Sequence, residues 1–342
     1  MLKLEGLSKV YKVGTFGGQE LRAVSEVDFE VKKGEVVSLI GESGSGKSTI
    51  GKMILRLVPV TSGAIRFKGE DVTTLKGAAL KEYYRKVQGV FQDPFGTYNP
   101  IFKADHTFHI IREEFYPDVE DEVWEQKVED ALCAVGLNPE NCLDKFPHQL
   151  SGGQLQRLLI ARALLLDIEF LVADEIISML DASTRIDVLN LLADLKARGL
   201  SILFITHDLS LGYYISEKAA ILYRGQAVEV GATEKIYANP LHPYTKMLMA
   251  SVPRLDKKWE AEQGSETAVK LKAKTAEPLN GCPYFDRCTI ADRSLGCDSR
   301  RPPLSSADED HQVACFYYQQ VMGTAVSNNS FTNALNREAF AG

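Results

Sequence analysis

Apolar and polar positions follow two rhythms along this chain, and the changes between them locate its elements. Short apolar runs bounded by polar or glycine-rich turns lie at Val36–Ile40, Val87–Phe91, Phe170–Asp174, Ile202–Thr206 and Ala219–Tyr223. Runs of that length with those boundaries read as buried strands. Val27-Asp28-Phe29-Glu30-Val31 alternates residue by residue, as an antiparallel strand packed on one face does. Ile50, Met53, Ile54 and Leu57 fall at the i, i+3, i+4, i+7 spacing of one helix face. Strand and helix patterns alternate through residues 1–240, which predicts an α/β domain. The stretch 93–162 differs in being mostly helical, for example over Glu120–Val135 up to Gly136. It reads as a helical subdomain inserted between core strands. The texture changes again after Pro240. Residues 241–320 read as a small extension, with an exposed Lys/Glu/Ala-rich linker over 255–280 and a cysteine cluster over 281–315. A flexible tail is expected over 321–342, rich in Asn, Ser, Thr and Ala from Val326.

Composition narrows the class. With 342 residues, one large domain plus a smaller one is expected. At 45% apolar and 25% charged the chain reads as soluble and globular. A net charge of −7 argues against a nucleic-acid surface, which would be basic. No apolar run reaches the roughly 18 residues of a membrane span. Met1-Leu2-Lys3-Leu4-Glu5 lacks the apolar core of a signal peptide, so the chain is expected in the cytosol. Six cysteines in that reducing compartment point away from structural disulfides.

The chemistry starts at Gly41-Glu42-Ser43-Gly44-Ser45-Gly46-Lys47-Ser48, a G-x-x-x-x-G-K-S phosphate loop followed by Thr49. It stands between a strand pattern and a helix pattern, the context that makes the match a site. Its glycines allow backbone N–H groups to face phosphate oxygens, and the helix start adds favourable partial positive charge. Lys47 can reach the β- and γ-phosphates, and Ser48 can ligate Mg²⁺.

Further motifs follow in order. Gln92 stands in Phe91-Gln92-Asp93-Pro94 at a strand end, and Leu150-Ser151-Gly152-Gly153-Gln154 opens a helix. Asp174 and Glu175 end the strand at Phe170, Ser178-Met179-Leu180-Asp181 follows, and His207 ends the strand at Ile202. Beside an ATP each has a task. Asp174 can hold Mg²⁺ through water, and Glu175 can orient or deprotonate the attacking water. His207 can hydrogen-bond the γ-phosphate, and Gln92 can sense Mg²⁺ and the water. Ser151, as N-cap, with Gly152 and Gly153 forms a second phosphate-binding helix start. One ATP has no room for two such starts from one chain. The second is therefore expected to serve a nucleotide held by another subunit, in a dimer closed by ATP.

Taken together these motifs resemble the nucleotide-binding subunit of an ATP-binding cassette (ABC) transporter, over roughly residues 1–320. Leu150-Ser151-Gly152-Gly153-Gln154 matches that family's signature. The resemblance implies a P-loop NTPase of ABC type: a mixed core sheet, an antiparallel β arm and an inserted helical subdomain, with a small cysteine-rich extension. It implies that Tyr11 stacks on adenine and that Asp181 faces the opposite subunit. Two residues depart from the pattern: Ile176 stands where proline is usual, and Leu155 where a basic residue is common. Neither removes a catalytic group. Gln92-Asp93-Pro94-Phe95 with Asn99-Pro100, and Asn239-Pro240-Leu241-His242-Pro243-Tyr244, resemble the oligopeptide/dipeptide importer branch. That branch implies a second ATP-binding subunit, often a different chain, two permeases, an external solute-binding protein, and a peripheral place on the cytoplasmic face of the plasma membrane. Di- or oligopeptides are the expected cargo, with oligosaccharides as the alternative. A soluble ABC ATPase of DNA repair or translation would usually carry long coiled coils or two cassettes, which this chain lacks.

Cys282, Cys288, Cys297 and Cys315 are spaced C-x5-C-x8-C-x17-C. Four thiolates suit a [4Fe–4S] cluster, and resemblance to cluster-bearing members of the branch supports it. Zinc sites more often use paired C-x2-C knuckles, so zinc is the lesser alternative; free cysteines in a folded extension are a third. A cluster would staple the extension rather than do redox chemistry. His311 is expected at the surface or as a cap, though it could substitute as a ligand. Cys133 is expected in the core, and Cys142 in a loop without a partner.

Overall fold

The computed structural model describes residues 1–13, 18–251 and 280–325, with side chains to 320. An antiparallel arm comes first. β1 (Leu2–Val13) pairs with β2 (Gln19–Val31), and Val27, Phe29 and Val31 turn inward while Asp28 and Glu30 face out. β3 (Val36–Ile40) is buried throughout and leads through the phosphate loop into α1 (Lys47–Ile54). Leu57 does not extend the apolar face of α1. The helix ends at Ile54, Arg56 takes a φ of 58°, and Leu57 emerges 57% exposed. β4 (Ser62–Phe67) and β5 (Glu70–Asp71) complete the arm, whose strand order is β2-β1-β4-β5.

α2 (Gly77–Lys86) then leads to β6 (Val87–Val90), so Phe91 already lies beyond the strand. The inserted helices are α3 (Pro94–Thr97), α4 (His106–Phe115), α5 (Asp121–Ala134), α6 (Pro139–Cys142) and α7 (Gly152–Leu164). α5 buries Trp124, Val128, Ala131 and Leu132 on one face. Cys133 is exposed, contrary to the core position expected, because one residue after Leu132 the helix has turned about 100° off that face. Cys142 is instead the buried thiol. It ends α6 and donates to the Asn138 carbonyl at 3.3 Å.

The chain returns through β7 (Phe170–Asp174), α8 (Ala182–Ala197), β8 (Ser201–Thr206), α9 (Leu209–Ile215), β9 (Lys218–Tyr223) and β10 (Gln226–Ala232). α10 (Thr233–Ala238) and α11 (Pro243–Ala250) follow. Of the expected linker over 255–280, all but residue 280 lies outside the described residues, and residue 280 is exposed. Beyond it come β11 (Ser305–Asp308), β12 (His311–Val313) and α12 (Phe316–Ala325). The stretch expected as a tail from 321 thus starts inside a helix, and residues from 326 lie outside the described residues.

The main sheet runs β11-β12-β10-β9-β3-β8-β7-β6. Its centre is parallel, with β3 beside β8 and β9, and β7 beside β8 and β6. β9, β3, β8 and β7 are almost wholly buried, as a parallel sheet covered on both faces requires. The extension does not stand apart. β12 pairs antiparallel with β10, Glu229 opposite Val313 and Gly231 opposite His311, and carries the sheet outward. That pairing overturns the surface position expected for His311. It is buried, and its Nε2 lies 2.7 Å from Oε1 of the equally buried Glu229.

Candidate nucleotide site

The parallel register gathers the motifs at one edge. Ile40 lies opposite Thr206, and Asp174 opposite Ile205, so the carboxyl ends of β3, β7 and β8 end side by side. Ligands of open parallel sheets bind at such an edge. The phosphate loop leaves β3 with little lateral room. A Cβ on Gly41 would collide with the Leu222 carbonyl, and Gly46, at φ 101°, would set one against the Ala23 carbonyl. Gly44 at φ 79° makes the turn between them, and Ser43 and Gly44 form the exposed tip. Gly46 is the N-cap of α1, so no side chain caps that helix. Its first amides are thereby left for an outside acceptor. The buried Ser45 hydroxyl has no partner, a cost that an arriving polar group would relieve.

The charged groups pack behind this loop. Lys47 is 4% exposed, and its Nζ donates to the carbonyls of Gly41 at 2.7 Å and Glu42 at 3.0 Å. Ser48 Oγ donates to Asp174 Oδ1 at 3.1 Å, with Thr49 half-buried beside it. Burial pushes the Asp174 carboxyl up and the Lys47 ammonium down from their ordinary values. Charges held that far out of water favour a partner of opposite sign. Glu175 is 18% exposed. Its Oε1 lies 4.0 Å from Lys47 Nζ, and its Oε2 lies 3.4 Å from Nδ1 of the more exposed His207. Glu175 also takes a φ of 51°, in the left-handed region. Such strain costs a non-glycine residue about 1–3 kcal/mol and concentrates at functional sites. The backbone N–H of Glu175, donating to the Ile205 carbonyl at 2.9 Å, helps hold the turn.

Other motif residues stand apart from that cluster. Ser151 N-caps α7 through a reciprocal pair: Gln154 N–H donates to Ser151 Oγ at 3.2 Å, and Ser151 N–H donates to Gln154 Oε1 at 2.9 Å. A Cβ on Gly153 would lie 2.6 Å from Thr184 Cγ2, and one on Gly152 would lie 3.7 Å from Phe95. The signature turn therefore packs against the start of α8. Asp181 caps that helix, accepting from Thr184 N–H at 3.0 Å and from the hydroxyls of Ser183 and Thr184 at 2.6 and 2.7 Å. Those bonds hold its carboxyl well below the usual range. Gln92 is exposed beyond β6, where Asp93 caps α3 by accepting from Gly96 N–H at 3.0 Å. Tyr11 lies near the outer end of β1, half-buried, with Lys9 Nζ 5.0 Å from its ring centre.

The four late cysteines share one small cavity, lined also by His242, Phe285 and Pro302. Burial raises the thiols of Cys282, Cys288 and Cys315, Cys282 to about 12. Among the described residues, no three Cys, His, Asp or Glu side chains are placed to hold a metal ion.

The sequence profile described as "ABC transporter" matches residues 24–178, and that of the "Oligopeptide/dipeptide transporter, C-terminal region" matches 228–297. The chain is 38% identical over 336 residues to the oligopeptide transport ATP-binding protein AppF of Bacillus subtilis, covering 93% of this chain and 97% of that one. The chain belongs to the ABC transporter family, as an ATP-binding subunit of the oligopeptide type. This ABC subunit is also 36% identical over 298 residues to the oligopeptide transport ATP-binding protein OppF of Haemophilus influenzae, covering 87% and 89%. A dimeric ATP-binding cassette, MJ0796, solved in a post-hydrolysis state with ADP and Pi, superposes with a TM-score of 0.61 at 29% identity, covering 68% of this chain and 99% of that one.

The ABC subunit's loop has contacts that no sequence motif announced. Arg287 and Tyr244 of the extension both contact Glu42, and the Arg287 pair spans 245 residues of chain. Nothing local could have pointed to them.

Proposed function

We propose that this subunit binds Mg·ATP at residues 41–49 and hydrolyses it to power peptide import. The observation that carries the reading is the cluster of Lys47, Asp174, Glu175 and His207 behind an uncapped helix start. Hard oxygen donors suit Mg²⁺, and Ser48 Oγ with Asp174 Oδ1 provides a hydroxyl and a carboxylate side by side. Bound there, Mg²⁺ would offset phosphate charge. Lys47 exchanges its loop carbonyls for phosphate oxygens. Glu175 takes the proton of the attacking water, and its approach is oriented by His207, which then donates to the γ-phosphate. Gln92, exposed at the strand end, reports the state of the water to the helices that follow. Tyr11 supplies a face for adenine.

Ser151, Gly152, Gly153 and Gln154, with Asp181, serve a nucleotide held by a second ATP-binding subunit. That subunit is a different chain, and ATP closes the pair. Closure and reopening then move two permease subunits fed by an external solute-binding protein, with this chain peripheral on the cytoplasmic face. No helix of the described residues is long and apolar enough to cross a membrane, so contact with the bilayer runs through the permeases. We assign Cys282, Cys288, Cys297 and Cys315 to a [4Fe–4S] cluster that staples the extension. Support is that all four cysteines line one cavity and that four thiolates suit iron, although as they stand no three of them are placed to hold a metal ion. The divisions at 1–240, 241–320 and 321–342, with the helical subdomain at 93–162, frame this assignment of roles. Uptake of a labelled oligopeptide by cells carrying Lys47→Ala in place of the wild-type chain tests the transport reading. Uptake is expected to stop, and wild-type uptake in that strain would overturn it.

A further inference from the structure

Arg287 and Tyr244 of the extension both reach the phosphate loop at Glu42. Arg287 Nη1 lies 3.2 and 3.0 Å from the two carboxylate oxygens of Glu42, and its Nη2 lies 3.2 Å from Oε1. The guanidinium is itself held between rings, 5.6 Å from the centre of Tyr284 and 5.8 Å from that of Tyr223. Tyr244, wholly buried, accepts the Glu42 backbone N–H at 2.9 Å and packs on Tyr223 and Tyr284 at 4.5 and 5.5 Å. Glu42 is the first variable residue of the phosphate loop, and its carbonyl is one of the two that hold Lys47. The side chain, the amide and the carbonyl of a single loop residue are thus tied to Arg287, Tyr244 and Lys47. Arg287 lies between Cys282 and Cys288, so the wall of the thiol cavity and the anchor of the loop are the same short segment.

We propose that Arg287 is a positioning residue for ATP binding: by holding Glu42 it keeps the phosphate loop in its receptive shape, and it makes the cysteine extension part of the nucleotide site. A planar, multidentate guanidinium grip restrains orientation in a way a lysine cannot reproduce in full. The loop is ordered before the ligand arrives, so less entropy is lost on binding. The inference rests on the reading of residues 41–49 as an ATP site.

The test measures binding of a non-hydrolysable ATP analogue with Mg²⁺ to the full chain by calorimetry. The proteins are wild type, Arg287→Met, Arg287→Lys, Glu42→Gln and the Arg287→Met/Glu42→Gln double variant. Hydrogen bonds to charged groups, discounted for a pair that is partly solvated, predict about three- to tenfold weaker binding for Arg287→Met. Glu42→Gln, which leaves the extension untouched, should lose a similar factor. Arg287→Lys should recover part of it. The double variant should bind no more weakly than the weaker single variant, because both remove one interaction. In the assembled transporter, KM for ATP should rise by that factor with kcat nearly unchanged. Wild-type affinity in a folded Arg287→Met protein, or losses that multiply in the double variant, would overturn the proposal. If the wild type itself failed to bind, the ATP reading would fall instead.

Discussion

Glu175→Gln tests the chemistry most directly. The substitution keeps size and backbone preference, so the left-handed turn at φ 51° and the bond from Glu175 N–H to Ile205 remain. It deletes the proposed proton acceptor and one negative charge. The lost charge lies 4.0 Å from Lys47 Nζ and 3.4 Å from His207 Nδ1, in a position only 18% exposed. A positioned general base contributes roughly 10²- to 10⁴-fold to a rate. Turnover should therefore fall by about that factor, which corresponds to about 3–5 kcal/mol of barrier. Affinity for ATP should hold or improve, because one anionic group beside the triphosphate is gone. Phosphate release by the assembled complex measures the first effect. Light scattering of the variant mixed with its partner ATP-binding subunit and Mg·ATP measures the second, and should show a dimer that persists because hydrolysis no longer reopens it. Turnover within about threefold of wild type would refute Glu175 as the base, since no general-base role is that small.

Asp181→Ala should lower the urea midpoint at neutral pH by removing the cap of α8. The folded carboxyl is depressed, so its contribution is complete above the unfolded value of 3.8 and fades as pH falls below it. The gap between variant and wild type should narrow there; an equal gap at pH 3 and pH 7 would count against the capping account. Protein purified without air should contain iron rather than zinc and show broad visible absorption, and folded protein free of iron would exclude the cluster at the four cysteines.

Much of this protein is legible along the chain because its signals are local. The phosphate loop needs particular residues at consecutive positions, and a parallel strand buried on both faces is apolar at nearly every position. Val36–Ile40 and Phe170–Asp174 accordingly have the same limits in sequence pattern and in structure. Features that depend on direction were less visible. Cys133 and Cys142 exchange their expected environments because burial depends on which way a short helix faces. Leu57 keeps the helical spacing after the helix has ended, since periodicity carries no mark for the positive φ at Arg56.

The order of motifs and the chemical type of each site residue were written in the sequence, because catalysis of phosphoryl transfer demands those groups wherever the chain goes. Which of them meet was decided by the sheet. Parallel register brought Lys47, Asp174, Glu175 and His207 to one edge. An antiparallel pairing of β12 with β10 buried His311 against Glu229 and carried the extension onto the cassette, where Arg287 grips Glu42. Strand pairing and ion pairing act between residues far apart in the chain, and their partners are chosen only when the whole molecule packs.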